Sequence, residues 1–239
     1  MSKSASDVQP SVLASEAQRI REIFANRKDP GDGQFDLFRL CEHQERQRTL
    51  LLFFRRLGLS SLQDMRILDV GCGSGGQLRR LTDFGAEPGK CFGVDLYGPG
   101  LAAARQQNPN ITFIEGSGAQ LPFGPDEFDL VFQSTVFTSV LDTQIRRAMA
   151  SEIRRVLRSG GYFVWYDFAY SNYKNPYVRG ISRREIRDLL QGFCRLRFQK
   201  VTLAPPLGRP AARISLFCYQ ALGAIPLLRT HYFCFAQKP

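Results

Sequence analysis

Two carboxylates and a run of glycines carry the chemistry that is readable in this chain. Asp69 sits inside the apolar run Ile67-Leu68-Asp69-Val70, which opens directly into Gly71-Cys72-Gly73-Ser74-Gly75-Gly76. Asp95 closes a second apolar run about 20 residues beyond the first glycine. Ile67, Leu68 and Val70 suit a strand covered on both faces. Gly71 and Gly73 permit a tight turn and close approach of a ligand to bare backbone, and Gln77 to Phe84 reads as the helix that follows. A strand, a glycine loop and a helix in that order make a seat for a nucleotide-like ligand.

The spacing Gly71-x-Gly73-x-x-Gly76 also satisfies the dinucleotide fingerprint, so the glycines leave a nicotinamide dinucleotide open. Asp69 discriminates. A lone carboxylate in a strand otherwise fit for the interior is costly unless it is paired or hydrogen-bonded. Beside a pyrophosphate it would repel the ligand, whereas beside a cationic amino-acid ligand it is useful. S-adenosylmethionine fits, with an ammonium, a sulfonium, no phosphate and a ribose whose hydroxyls Asp95 can accept. An NAD-dependent oxidoreductase is the competing reading, and the charge at position 69 disfavours it.

Five ordered motifs extend the pattern: Leu68 to Gly75, Val94-Asp95, Leu121-Pro122-Phe123, Phe128-Asp129-Leu130-Val131 and Leu157-Arg158-Ser159-Gly160-Gly161. Over roughly residues 45 to 167 the chain resembles the class I S-adenosylmethionine-dependent methyltransferases, in particular their small-molecule, type 11-like group. The resemblance implies a Rossmann-like α/β fold. Its sheet is seven-stranded and mostly parallel, with helices on both faces and N-terminal helices over the cofactor site. It places Gly71, Gly73 and Gly75 under the amino-acid half of the cofactor, with Asp69 holding the ammonium directly or through water. Asp95 and Leu96 fall on the ribose side. Family members often carry an Asp after the glycine that ends the third strand, but here Glu115-Gly116 is followed by Ser117, Gly118 and Ala119, which take over that place toward adenine. Gln133 and Ser134, just past the fourth strand, fall beside the methionine part or bond within their loop, with Gln133 the preferred contact.

Methyl transfer from a sulfonium is an in-line displacement, so the protein must mainly align the acceptor and exclude water, with a base when the acceptor is a hydroxyl. The chain has two histidines, His43 and His231. His43, on the helix entering the core, and Asp167, at the end of the fifth strand, are the candidate bases, each with a structural role as the alternative. Tyr166, Tyr170 and Arg179 are candidate substrate contacts at the carboxyl edge, where open α/β sheets bind ligands. No residue spacing suggests a metal site.

The elements that must position these residues alternate strand and helix. Strands are expected at 66–70, 91–95, 112–115, 128–133 and 162–167, with further strands at 195–203 and 230–236. Helices are expected at 17–24, 35–57, 143–158 and 182–191, with one covering helix over 211–225 and Pro30-Gly31-Asp32-Gly33 as a break. The domain reading is a mobile terminus over 1–15 and one methyltransferase domain over 16–239. Within it, 16–60 are N-terminal helices, 65–167 the cofactor core and 168–239 substrate-side elements and terminal strands.

With 239 residues, 44% of them hydrophobic, the chain can bury one substantial core. No apolar run is long enough for a membrane span and none follows Met1 as a signal segment, so a cytoplasmic location is expected. The six cysteines lack C-x-x-C spacing and read as reduced structural thiols. The net charge of +10 is lopsided: residues 143–239 hold 17 Lys and Arg against 4 Asp and Glu. That excess suits either an anionic partner or a solvated arginine-rich face. The leading expectation is O-methylation of a small-molecule or glycan hydroxyl, on an acceptor that is anionic or lipid-linked. An RNA or other nucleic-acid methyltransferase is the alternative, although the fourth strand lacks the Asn/Asp-Pro-Pro-aromatic run of amino-methylating enzymes. A non-catalytic binding protein on the same fold is the third reading.

Overall fold

The computed structural model describes residues 8–26, 36–171 and 175–239. Strands run over Ile67–Val70 (β1), Cys91–Asp95 (β2), Thr112–Glu115 (β3), Phe128–Ser134 (β4), Leu157–Phe168 (β5), Cys194–Leu203 (β6) and Arg229–Gln237 (β7). Among the described residues they form one sheet in the order β3-β2-β1-β4-β5-β7-β6. The pairs β1–β2, β1–β4, β2–β3 and β4–β5 are parallel, while β7 runs antiparallel to both β5 and β6. Strand order reverses between β1 and β4, and it is outside the carboxyl ends of strands at such a switch point that open α/β sheets bind ligands.

Both faces of the sheet are covered, which is why its central strands are continuously apolar. Helices over Leu37–Arg56 (α2), Gly76–Leu81 (α3) and Gly98–Gln107 (α4) cover one face. There Leu50, Phe53, Phe54, Leu78 and Leu101 pack with Ile67, Phe113, Val164 and Phe235. Phe53 stacks on Phe235 with ring centroids 3.8 Å apart. Helices over Thr143–Val156 (α5) and Arg183–Leu189 (α6) cover the other, where Ile145, Met149, Ile153 and Ile186 pack with Leu68, Val70, Val131 and Trp165. The helix Pro10–Ala25 (α1) adds Ile20 to this second cluster.

Several boundaries differ from the sequence expectation. Helix α1 begins at Pro10, whose fixed φ suits a first helical position, so residues 10–15 belong to a docked helix rather than to a mobile terminus. Residues 1–7 and the Pro30-Gly31-Asp32-Gly33 break lie outside the described residues. Helix α5 stops at Val156, and Ser159-Gly160-Gly161 lies within β5 instead of ending the helix. The early part of β5 is drawn into the sheet by the chain's C-terminal end: Gly160 N–H donates to the Lys238 carbonyl and Lys238 N–H to the Gly161 carbonyl, each at 2.9 Å. The single helix expected over 211–225 is two, Pro205–Ile214 (α7) and Leu216–Gly223 (α8). Ser215 breaks them with an extended backbone, and its hydroxyl caps α8 by accepting from Cys218 N–H.

Much of the C-terminal positive charge lies on α6 and β6, where Arg183 and Arg187 lie over the Phe198 ring at 4.9 and 5.2 Å. Arg195 and Arg197 are exposed on β6, which is an edge of the sheet. Charged side chains on an edge strand discourage pairing with another chain.

Candidate active site

The carboxyl ends of β1, β2, β4 and β5 open into a cavity of about 1320 Å3, bounded also by α1, α2 and the start of α7. Helix α1 is fastened over it at two points. Arg19 donates to the Ser139 carbonyl at 2.6 Å, and Arg21 donates to the Leu96 carbonyl at 3.0 Å. Glu16 accepts from Leu141 N–H at 2.7 Å beside the first of these.

The floor is the glycine loop. Gly71 is left-handed at φ +79°, and a Cβ there would lie 2.2 Å from Val136 Cγ2, so both backbone and packing demand glycine. Gly73 has φ +53° and nothing within 4 Å of a Cβ, because it faces the open cavity. Its N–H donates to Asp95 Oδ2 at 2.8 Å, and Tyr97 N–H donates to Asp95 Oδ1 at 2.9 Å. One backbone donor on each oxygen fixes the carboxylate and leaves acceptor capacity on both for ribose hydroxyls.

Asp69 lies on the same floor at 2% exposure, and its Oδ1 has no hydrogen-bond partner. Burial pushes its carboxyl up to about 7, the Asp95 charge pushes it further the same way, and Arg46 opposes both. An unpartnered buried carboxylate is costly by itself and becomes favourable when a cation completes it. The glycine cradle, the orphaned Asp69 oxygen and the fixed Asp95 carboxylate fit the ammonium, amino-acid backbone and ribose of S-adenosylmethionine.

Other expected cofactor residues divide. Leu96, Ser117 and Gly118 line the cavity. The Ser117 hydroxyl accepts from Ala119 N–H at 3.2 Å, and a Cβ on Gly118 would meet Met149 Cε and Val70 Cγ1, each at 2.8 Å. Ala119 itself is buried in the core between the sheet and α5 and does not reach the cavity. Gly75 is also off the cavity: it is left-handed at the start of α3, with the Phe113 ring 2.7 Å from where a Cβ would stand. Gln133 is a correction. It pairs in register with Val70 and Trp165 and is buried with neither amide atom partnered, and it is not among the residues that line the cavity. The next residue, Ser134, has the opposite parity and lines the cavity.

The same parity overturns Asp167. Tyr166 faces the cavity, while Asp167 is fully buried and off it, accepting from Thr138 Oγ1 at 2.5 Å, Phe168 N–H at 3.0 Å and Thr138 N–H at 3.2 Å. Burial raises its carboxyl to about 7 against the opposing pull of these donors. It fastens the loop after β4 to β5 and cannot serve as a base at the cavity. Arg179 likewise lies off the cavity: it pairs with Glu185 at 2.5 Å, and Glu185 also takes Arg146. Tyr170 does line the cavity, and its hydroxyl accepts from Lys200 Nζ at 2.8 Å.

His43 lines the cavity with Nε2 3.1 Å from Arg80 Nη2. A guanidinium only donates, so Nε2 is the acceptor and the proton resides on Nδ1. Burial lowers the imidazole to about 4, with Arg80, Arg46 and Arg39 adding to the shift. His43 is thus neutral at neutral pH with its lone pair engaged, and Nδ1 is buried without a partner. That makes it a hydrogen-bond donor rather than a base.

The structure adds residues that sequence reasoning missed. Arg46 lies 4.1 Å over the Tyr166 ring and donates to Ser134 Oγ at 2.9 Å. The Tyr166 hydroxyl donates to Glu42 Oε1 at 3.0 Å and lies 2.8 Å from Thr202 Oγ1. His231 stacks on Tyr166 at 4.9 Å and 9°, and burial with the Arg46 charge holds it down at about 3. Thr135 and Thr202, both on the cavity, take left-handed φ of 57° and 62°. Such β-branched outliers cost about 1–3 kcal/mol each and persist only where their surroundings hold them. Glu42, His43 and Arg46 fall together on α2 at helical spacing, i, i+1 and i+4, which was the available signal. The threonine strain had none.

Comparison with known proteins agrees with this geometry. Residues 68–165 match the family model described as a methyltransferase domain. The phthiotriol/phenolphthiotriol dimycocerosates methyltransferase of Mycobacterium tuberculosis is 29% identical over 171 residues, 71% of this chain and 62% of that protein. Its Mycobacterium leprae counterpart is 33% identical over 152 residues, 59% of this chain and 55% of that protein. The chain thus spans under two thirds of the length of these relatives. Among solved structures, geranyl diphosphate C-methyltransferase from Streptomyces coelicolor superposes with a TM-score of 0.66 at 15% identity, covering 94% of this chain and 98% of that one. Haemonchus contortus phosphoethanolamine N-methyltransferase 2, solved with S-adenosyl-L-methionine, gives 0.62 at 19% identity, covering 92% and 60%. Residues 68–165 thus match a methyltransferase domain, and the fold that carries them is one shared with solved methyltransferases.

Proposed function

We propose that this protein transfers a methyl group from S-adenosylmethionine to a hydroxyl of a small amphiphilic molecule, a lipid-linked or glycan alcohol. The observation that carries the cofactor half is the orphaned Asp69 oxygen above the glycine cradle. When bound, the sulfonium supplies an electrophilic methyl group. The chain's own residues hold the amino-acid end at Asp69, accept the ribose hydroxyls at Asp95 and shut out water with α1.

The acceptor half rests on the outer part of the cavity, where Phe38, Tyr166, Phe168 and Tyr170 provide apolar and aromatic wall and Arg39, Arg80 and Arg209 provide positive charge. An aromatic wall with cationic groups suits an apolar molecule bearing a polar or anionic end. The mycobacterial relatives are named for a phthiotriol, an alcohol by that name, which supports a hydroxyl acceptor. With Asp167 off the cavity and the His43 lone pair engaged, Glu42 takes over as the proton acceptor. Its carboxylate is on the cavity and already holds the Tyr166 hydroxyl. It takes the acceptor proton directly or through Tyr166.

Methyl transfer from labelled S-adenosylmethionine, run across long-chain alcohols, phenols, glycolipids and RNA, tests this reading. Label should enter an ether on an alcohol or phenol, and Glu42→Gln should slow turnover by about 10²–10⁴ with cofactor affinity unchanged. Label appearing only in RNA, or only on nitrogen or carbon, would overturn the acceptor assignment.

A further inference from the structure

From Ile214 to Leu228 the chain holds no Asp, Glu, Lys or Arg, while Arg209 and Arg213 precede this stretch and Arg229 follows it. In the fold it forms α8 and the short helical turn at Pro226–Leu228. One side of it is used: Tyr219 is buried with Phe38, Leu203 and Ala211, and Cys218, Leu222 and Leu228 pack against that cluster. The other side is not. Ile214 is 75% exposed, Phe217 78% and Leu227 86%, with Leu216 and Ile225 beside them at 49% and 44%.

Isolated exposed leucines are ordinary, but five large apolar side chains in 14 consecutive residues form a patch that a water-soluble surface does not keep without use. Exposures this high describe tips that project from the surface. We propose that this face docks on an anionic lipid bilayer, with Ile214, Phe217 and Leu227 entering the acyl boundary and Arg213 at the headgroups. Three observations select a bilayer. The patch projects instead of forming a groove, it is flanked by arginines and free of acidic groups, and the chain carries a net +10 that an anionic surface would attract. An apolar face edged by basic residues is the pattern by which helices lie in a membrane interface. No helix among the described residues is long and apolar enough to cross a membrane, so the contact is peripheral.

The patch is also joined to the cavity wall through the chain. Helix α7 leads directly into it, while Pro205 and Arg209 of the same helix line the cavity wall. A docked molecule would hold that wall beside the lipid phase, where an amphiphilic acceptor resides. The docking itself does not depend on the acceptor, and it is measured without one.

The test is co-sedimentation of the full chain with vesicles of phosphatidylcholine containing phosphatidylglycerol, against vesicles of phosphatidylcholine alone, at physiological salt. The chain should pellet with the anionic vesicles and more weakly with the neutral ones. The double substitution Phe217→Asp with Leu227→Asp should lower partitioning about a hundredfold, and Arg213→Glu by about fivefold or more. All three side chains are exposed, so both variants should fold and bind S-adenosylmethionine as the parent does; this second readout separates loss of docking from loss of the cofactor site. Absence of vesicle binding by the parent chain, or equal binding by the double variant, would overturn the proposal. So would a dimer in analytical ultracentrifugation that the double variant dissociates, since the patch would then be a subunit interface.

Discussion

Replacing Asp69 by Asn should make the ligand-free protein more stable and the cofactor complex weaker, and pH should separate the two effects. Asp69 is raised from 3.8 to about 7 by burial first and by Asp95 second. A carboxyl whose folded value lies above its unfolded value is protonated preferentially in the folded chain. The stability this confers is present in full below about pH 4 and is lost as pH rises through about 7. The loss amounts to about 4 kcal/mol. An asparagine does not titrate, so the stability difference between Asp69→Asn and the parent should open by up to about 4 kcal/mol in the variant's favour between about pH 4 and pH 8, on top of a constant offset of about 1–2 kcal/mol against it for an amide left without partners. Asp167 shifts in the same direction but is common to both proteins and cancels.

Urea unfolding followed by circular dichroism, on the ligand-free proteins across that pH range, measures the difference directly. Calorimetric titration gives the other half. Parent affinity for S-adenosylmethionine should fall about tenfold per pH unit below about 7, because the carboxyl must release its proton to meet the ammonium. The variant should lose that pH dependence and bind S-adenosylmethionine and S-adenosylhomocysteine about 10–100-fold more weakly at neutral pH, while adenosine, which lacks the amino acid, binds both proteins alike. A stability difference that does not change with pH, or adenosine weakened as much as S-adenosylmethionine, would refute the assignment of Asp69 to the ammonium.

Asp95→Ala should weaken cofactor binding by about a hundredfold or more through two lost ribose hydrogen bonds, with the circular dichroism of the folded chain retained; unchanged calorimetric affinity would remove the ribose role. Gly71→Ala should destabilise the protein by about 2–4 kcal/mol, from left-handed strain and collision with Val136, against about 1 kcal/mol for Gly73→Ala, where only the strain applies; equal thermal shifts would contradict the loop geometry. Asp167→Asn should lower the unfolding free energy by about 1–3 kcal/mol through its bonds to Thr138 while turnover per folded molecule stays near the parent's. A hundredfold turnover loss without a change in melting temperature would restore it as a base.

Position 69 shows how far the sequence reached. A charge inside Ile67-Leu68-Asp69-Val70 is anomalous by local chemistry alone, and that anomaly, with the glycines after it and Asp95 beyond, pointed to residues that line the floor of the cavity. The seven-stranded, mostly parallel sheet followed from the family resemblance, and the central apolar runs followed from burial on both faces. What local pattern could not supply was parity. Whether Gln133 or Ser134, and Tyr166 or Asp167, faces the cavity depends on which face each strand presents once paired, and a shift of one residue exchanges the two. The roles of Arg46, Glu42 and His231 lay further out of reach. They come from α2 and β7, far apart in the chain, and meet around Tyr166 only after the sheet closes. His43 makes the same point in charge: its residue type suggests a base, but only tertiary packing put Arg80 on its lone pair. Sequence by itself determined the cofactor loop and the class of fold, because those rest on contacts between near neighbours. The acceptor side was decided by tertiary structure, because it is built from side chains that share a cavity and no stretch of chain.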